Sequence, residues 1–178
     1  SGTLATMGCG IPYAIAAKFA YPDRVVFALI GDGAMQMSGL TELVTVAKYW
    51  REWQDPRLII LVLNNRDVGY VTWEQRAMAG QPRFAASQDL PDVPYAQYAE
   101  LLGLTGIVVD RPEDVGPAWD RALTSDRPVV INAIVDANVP TIPPDPSQQV
   151  IEKIAKALAG EEEAELVKRQ LAREGVQV

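Results

Sequence analysis

The chain has 178 residues, the size of one ordinary domain, and its 48% hydrophobic content is enough to bury a core. Lysine and arginine number 16 against 23 acids, a net charge of -7 that repels nucleic acid and anionic lipid, so neither is an expected partner. Histidine is absent and Cys9 is the one cysteine, which excludes Ser-His-Asp and Cys-His catalysis, histidine-ligated metals and an internal disulfide within the chain.

In chain order, the first predicted element is a helix over Ile11 to Ala20, entered through Gly8-Cys9-Gly10. A dinucleotide fingerprint fits poorly there, because no buried strand precedes the glycines and Tyr13 stands where the third glycine belongs. Cys9 reads as a small buried residue in a reducing compartment. Val25 to Ile30 and Leu58 to Leu63 are nearly continuous apolar runs, the pattern of parallel strands buried on both faces. Between them Leu40, Leu43, Val44, Ala47 and Trp50 fall at helical spacing, which gives a strand-helix-strand unit. Trp50, Trp53 and Trp119 read as core or interface residues.

The stretch from Arg76 to Asp92 has no period and is read as a long functional loop. A helix from Pro94 to Leu102, stopped by Gly103, a strand from Gly106 to Val109, a helix from Val115 to Leu123 and a strand from Val129 to Val135 follow. The run Val139 to Pro146 holds four prolines and reads as an extended linker. A helix then begins at Ser147 and stops at Gly160, and an acidic helix runs from about Glu161 to Arg173. The fold class is α/β, a three-layer domain with a mostly parallel sheet. Residues 1–139 are expected to form the binding domain, with linker and helices over 140–178. The N-terminus lacks the marks of a signal peptide and no apolar run approaches the roughly 20 residues that span a bilayer, so a cytoplasmic protein is expected. Membrane contact by the last helix is not expected.

The first buried run ends in Ile30 and passes straight into Gly31-Asp32-Gly33; the second ends in Leu63 and passes into Asn64-Asn65. Both clusters thus lie at the carboxyl edge of neighbouring strands, where open α/β sheets bind ligands. The two glycines are expected to let the chain turn sharply and bring backbone amides to an anion, with the following helix aiming its N-terminus the same way. Asp32 offers a hard carboxylate oxygen and Asn65 a neutral amide oxygen, a pairing that suits magnesium holding phosphate oxygens.

Gly-Asp-Gly followed by Asn-Asn, with Gly2-Thr3-Leu4-Ala5-Thr6-Met7-Gly8 upstream, resembles the thiamine diphosphate signature, and the match extends furthest toward acetolactate synthase and pyruvate oxidase. One departure is the 30 residues, Ala34 to Leu63, between the halves, a few more than usual, with the excess placed in Tyr49 to Pro56, where it is expected to lengthen the helix end. The resemblance implies that Asp32 and Asn65 ligate magnesium through side chains and Asp67 through its backbone carbonyl. It assigns the diphosphate to the amides of Gly33 and Ala34 beside Gly31. It makes Met7 the apolar prop for a V-shaped cofactor, with the backbone of Ala5 and Met7 facing the aminopyrimidine, although glycine is usual at Ala5.

The same resemblance implies a 2-oxo acid substrate, with Tyr70 and Val71 lining its channel and Glu74 where pyruvate oxidases keep an active-site glutamate and acetolactate synthases tend to have tryptophan. Together with the ending Ile142-Pro143-Pro144, Glu74 favours a quinone-linked oxidase over a carboligase. A pyrimidine-binding domain carrying a further glutamate and a middle domain, which holds FAD where flavin is present, would lie outside this sequence in a homodimer or homotetramer. An apolar patch around Met7, Ile11 and Tyr13 is expected where the absent domain packs. A separate small subunit of a split enzyme and a non-catalytic domain of the same fold remain open readings.

Overall fold

A computed structural model of the chain describes residues 4–143 and 145–178; Gly2 and Thr3 of the upstream motif and Pro144 of the linker lie outside the described residues. The chain divides into two compact units, Ser1–Asn65 with Asp92–Val135, and Arg66–Pro91 with Asp136–Val178. The stretch after Asn65 therefore clusters with the C-terminal segment rather than with the strand it leaves.

The first unit is built on a parallel sheet of β1 (Val26–Gly31), β2 (Leu58–Asn64), β3 (Thr105–Val109) and β4 (Val129–Ile134) in the order β1-β2-β4-β3. Helices lie on both sides. On one face, Ala28, Ile30, Ile60, Val62 and Val130 pack against α1 (Gly10–Ala20), α3 (Leu40–Tyr49) and α6 (Tyr95–Leu101), through Ile11, Ile15, Leu43, Val46 and Ala99. On the other, Ile59, Ile107, Val129 and Ile131 pack against Ala118 and Ala122 of α7 (Val115–Leu123). Trp53 joins the first cluster, Trp50 packs partly against it, and Trp119 packs partly against the second.

Burial on both faces holds for β2 and β4 but not for β1. Phe27 and Leu29 alternate outward at 51% and 69% exposure, because β1 is a sheet edge and α7 covers the opposite side of that face. Gly103 sits at φ +76, the left-handed region that lets α6 stop. Helix α3 ends at Tyr49 and the surplus residues form a 3-10 turn (Trp50–Glu52) and a loop rather than a longer helix. Lys18, buried at the end of α1, locks that loop: its Nζ donates to the carbonyls of Asp55 at 2.7 Å, Arg24 at 2.5 Å and Pro22 at 3.4 Å.

In the second unit the expected loop holds two short helical stretches, one running on from a helix just before it. Helix α4 (Gly69–Glu74) runs into a π turn (Gln75–Ala79), and α5 (Ala85–Gln88) follows. Aperiodic composition hid this because buried polar side chains do the knitting: Gln88 donates to Gln75 Oε1 at 2.6 Å, Gln75 donates to the Pro82 carbonyl at 2.6 Å, and the Phe84 amide donates to Gln88 Oε1 at 2.9 Å. Trp73 and Ala77 pack with Ile154 and Leu158 of α8 (Gln148–Leu158) and with Val167 and Leu171 of α9 (Ala164–Arg173). Ser147 caps α8 as expected, its side chain accepting from the Val150 amide.

Candidate cofactor and metal site

The register of β1 and β2 pairs Gly31 with Leu63, so Asp32 and Asn64-Asn65 leave neighbouring strands at one edge of the sheet. Asp32 opens a helical run made of α2 (Asp32–Ala34), a π turn (Met35–Gly39) and α3. Such π turns recur at functional sites. Asp32 is buried at 2% exposure, and its Oδ1 accepts from the Gly33 amide at 3.0 Å. A carboxylate is held at that depth by hydrogen bonds rather than by water.

Sharp turning at the glycines is not what the structure uses. Gly31 is extended at φ -79, and neither Gly31 nor Gly33 has a positive φ. Gly31 lies beside open space, since nothing stands within 4 Å of where its Cβ would be. The left-handed turn falls instead on Arg66, at φ +57, directly after the Asn-Asn pair. Ala34 is half-buried against the first core cluster.

Several contacts at this edge were not legible in the sequence. The Tyr95 hydroxyl, from α6, donates to the Asp32 carbonyl at 3.3 Å and accepts from Gln36 Nε2 at 3.1 Å. Burial raises the Tyr95 phenol above its ordinary value; the Gln36 hydrogen bond lowers it, and the nearby Asp32 and Asp92 carboxylates raise it further, so it stays a donor. Asn64 is fully buried, its Nδ2 donating to Asp92 at 3.3 Å while its Oδ1 is buried without a partner. In the sequence Asp92 is only the last residue of the expected loop and Tyr95 the second of the helix after it, and spacing alone does not reveal such long-range contacts.

Asp67 follows Asn65 by two residues and is 3% exposed. Its carboxylate is engaged on both oxygens: Thr72 Oγ1 donates to Oδ1 at 2.5 Å and Arg83 Nε to Oδ2 at 2.7 Å. A side chain so tied fits a ligand role for the backbone carbonyl, as the resemblance implies. Among the described residues no group of three or more His, Cys, Asp or Glu gathers to hold a metal.

Tyr70, Val71 and Glu74 stand on one exposed face of α4, at helical spacing, and Met78 at 67% exposure extends that face one turn further. Met7 begins a 3-10 turn (Met7–Cys9) at 38% exposure and is absent from every core cluster. Ala5 adopts φ +45, the region glycine favours, which accounts for glycine being usual there. Of the expected apolar patch, Met7 and Tyr13 are exposed, but Ile11 is buried at 1% because its position on α1 faces the sheet. Cys9 is half-buried rather than buried, and its thiol donates to the Thr6 carbonyl at 3.1 Å.

A parallel sheet whose strand ends carry a buried Asp32 after glycine and an Asn-Asn pair defines a thiamine diphosphate-binding class of domain. The comparison with known families agrees: residues 1–133 match the family described as thiamine pyrophosphate enzyme, C-terminal TPP binding domain, and the chain belongs to it. The chain is 38% identical over 143 residues to the thiamine pyrophosphate-containing protein YdaP of Bacillus subtilis, covering 80% of this chain and 23% of that protein. It is 32% identical to the acetolactate synthase isozyme 3 large subunit of Escherichia coli, over 78% of this chain and 23% of that one. Among solved structures it resembles the thiamine diphosphate-dependent 4-hydroxybenzoylformate decarboxylase of Rhodococcus jostii RHA1, with TM-score 0.63, 31% identity, and coverage of 73% of this chain and 23% of that one. The chain thus spans about a quarter of the length of these relatives. No helix among the described residues is long and apolar enough to cross a membrane.

Proposed function

We propose that this chain supplies the diphosphate and magnesium half of a thiamine diphosphate site in an enzyme that decarboxylates a 2-oxo acid such as pyruvate and joins the remaining two-carbon unit to a second 2-oxo acid. The observation that carries the reading is the buried Asp32 at the end of β1, level with the Asn-Asn pair of the neighbouring strand and beside the open space at Gly31. Asp32, Asn65 and the Asp67 carbonyl would hold the magnesium, and the amides of Gly33 and Ala34 the diphosphate. The bound cofactor supplies the nucleophile for the ketone carbon and the electron sink that lets carbon dioxide leave. Met7 and the backbone of Ala5 would support it, and Tyr70, Val71 and Glu74 would face the substrate. The pyrimidine end, the glutamate that acts on it and any flavin are assigned to domains outside this sequence, in a homodimer or homotetramer.

Carboligation is preferred to the oxidase reading that Glu74 and the proline-rich ending first favoured, because relatives from bacteria to yeast carry the name acetolactate synthase. Oxidation stands as the second reading, supported by the place of Glu74 on the exposed face of α4. The test is to incubate the full-length protein with pyruvate, thiamine diphosphate and magnesium. Acetolactate formed in step with carbon dioxide, without an added oxidant, is expected. Acetate formed only when a quinone is reduced would replace carboligation with oxidation, and no carbon dioxide from pyruvate or other 2-oxo acids would overturn both.

A further inference from the structure

The fixing of the Asp67 side chain requires residues to which no role has yet been given. Arg83 lies 16 positions along the chain, past the π turn, and its Nε donates to Asp67 Oδ2 at 2.7 Å, with Nη2 2.6 Å from the same oxygen. Its Nη2 also pairs with Asp89, and its backbone amide donates to Glu161 at 2.8 Å. Thr72, on α4, closes the other side through Asp67 Oδ1. Beyond these, Asp67 forms an isolated antiparallel bridge with Asp89, and the neighbouring amide of Val68 donates to the Gln88 carbonyl at 2.9 Å. Asp67 and Thr72 are nearly inaccessible and Arg83 is about two-thirds covered, so these contacts are shielded from competing water.

We infer that Arg83 and Thr72 are positioning residues for the metal loop: by holding both carboxylate oxygens of Asp67 they fix the peptide whose carbonyl is presented to the ion. This rests on the proposed magnesium reading. The argument is geometric. An aspartate two residues past Asn65 in a magnesium site would, if free, turn its own charged side chain toward the cation in place of the peptide. Engaged on both oxygens, the carboxylate is withdrawn and the backbone is left as the donor. Partners that orient ligands in this way set metal affinity by about ten- to a hundredfold.

The measurement is the magnesium concentration that half-saturates thiamine diphosphate binding in the full-length protein, read by tryptophan fluorescence, with circular dichroism and apo melting temperature as folding controls. Arg83→Met and Thr72→Val are each expected to raise that midpoint about tenfold or more, and Thr72→Ser to return it toward the wild-type value. Because both act through one carboxylate, Arg83→Met made in an Asp67→Ala background should add nothing further. An unchanged midpoint in a folded Arg83→Met or Thr72→Val protein removes that residue from the clamp. A double variant whose shift is the product of the single shifts overturns action through Asp67. Should Arg83→Met not fold, Thr72→Val and Thr72→Ser decide the matter alone. Asp32→Ala separates the two levels of inference. If it abolishes magnesium-dependent binding while the Arg83 and Thr72 variants do nothing, only the clamp fails; if it too is silent, the metal reading falls and takes the clamp with it.

Discussion

Arg76 and Glu161 meet side by side, Nε to Oε1 at 2.9 Å and Nη2 to Oε2 at 2.6 Å, joining the π turn after α4 to the segment before α9 with both side chains nearly inaccessible. The guanidinium also lies over the Trp73 ring at 4.7 Å, while its Nη1 is buried without a partner. Removing one member of such a pair strands the other charge in a medium that cannot solvate it.

Glu161→Ala is therefore expected to lower stability by about 3 kcal/mol, measured by denaturant unfolding of the full-length protein. Burial pushes the Glu161 carboxyl up, but hydrogen bonds from Arg76 and the Arg83 amide, with their charges, more than offset it and leave the group below its ordinary value of 4.5. A carboxylate depressed on folding stabilises above its unfolded value and loses that contribution as pH falls through the folded one. The gap between wild type and Glu161→Gln should accordingly be constant above pH 4.5 and shrink below it. A gap that persists undiminished to about pH 3 would contradict the assignment.

Lys18 offers a second test, because its ammonium is the shared donor to the Pro22, Arg24 and Asp55 carbonyls. Lys18→Met keeps the aliphatic stem but leaves those carbonyls short of a donor, at a cost of about 1 to 3 kcal/mol. Lower thermal stability with cofactor affinity retained is expected, since the lock joins loops at the ends of α1 and α3 rather than the strand edge that carries Asp32. An unaltered melting temperature would mean that water replaces Lys18 without loss.

Asp32 carries the metal reading most directly. Asp32→Ala in the full-length protein should abolish magnesium-dependent binding of thiamine diphosphate, and Asp32→Asn should weaken it by less, because the amide keeps one oxygen but not the charge. Titration calorimetry with and without magnesium distinguishes the two. Equal affinity in wild type and Asp32→Ala would remove Asp32 from the site.

The sheet and the two halves of the site were legible because local signals agree there: continuous apolar runs ending in Gly31-Asp32 and Asn64-Asn65 fix both the strands and their shared edge. Helix ends at Ser147 and Gly103 were legible for the same reason, each carrying its own capping chemistry. The second unit was not, because its order comes from pairs far apart in the chain, Arg76 with Glu161 and Gln75 with Gln88, which leave no period. Nor did composition reveal that β1 is exposed on one face, since the covering of Phe27 and Leu29 depends on sheet order.

The last prediction concerns Glu74, which shares the exposed face of α4 with Tyr70 and Val71 while Thr72 and Trp73 face inward. Tyr70 and Val71 offer ring and alkyl surface, and the Glu74 carboxyl lies within one helical turn of them. If Glu74 handles a proton or orients the substrate, Glu74→Gln keeps the shape and removes the charge. Turnover of pyruvate should then fall by about a hundredfold, with the magnesium and thiamine diphosphate affinities unmoved because Asp32, Asn65 and the Asp67 clamp are untouched. Substitution at Tyr70 or Val71 should instead change the preference between pyruvate and longer 2-oxo acids. The decisive measurement is kcat and KM for pyruvate beside the cofactor dissociation constant in the same preparation. Full turnover in Glu74→Gln would make Glu74 a solvated carboxylate and remove the observation on which the oxidase reading stands, leaving carboligation alone.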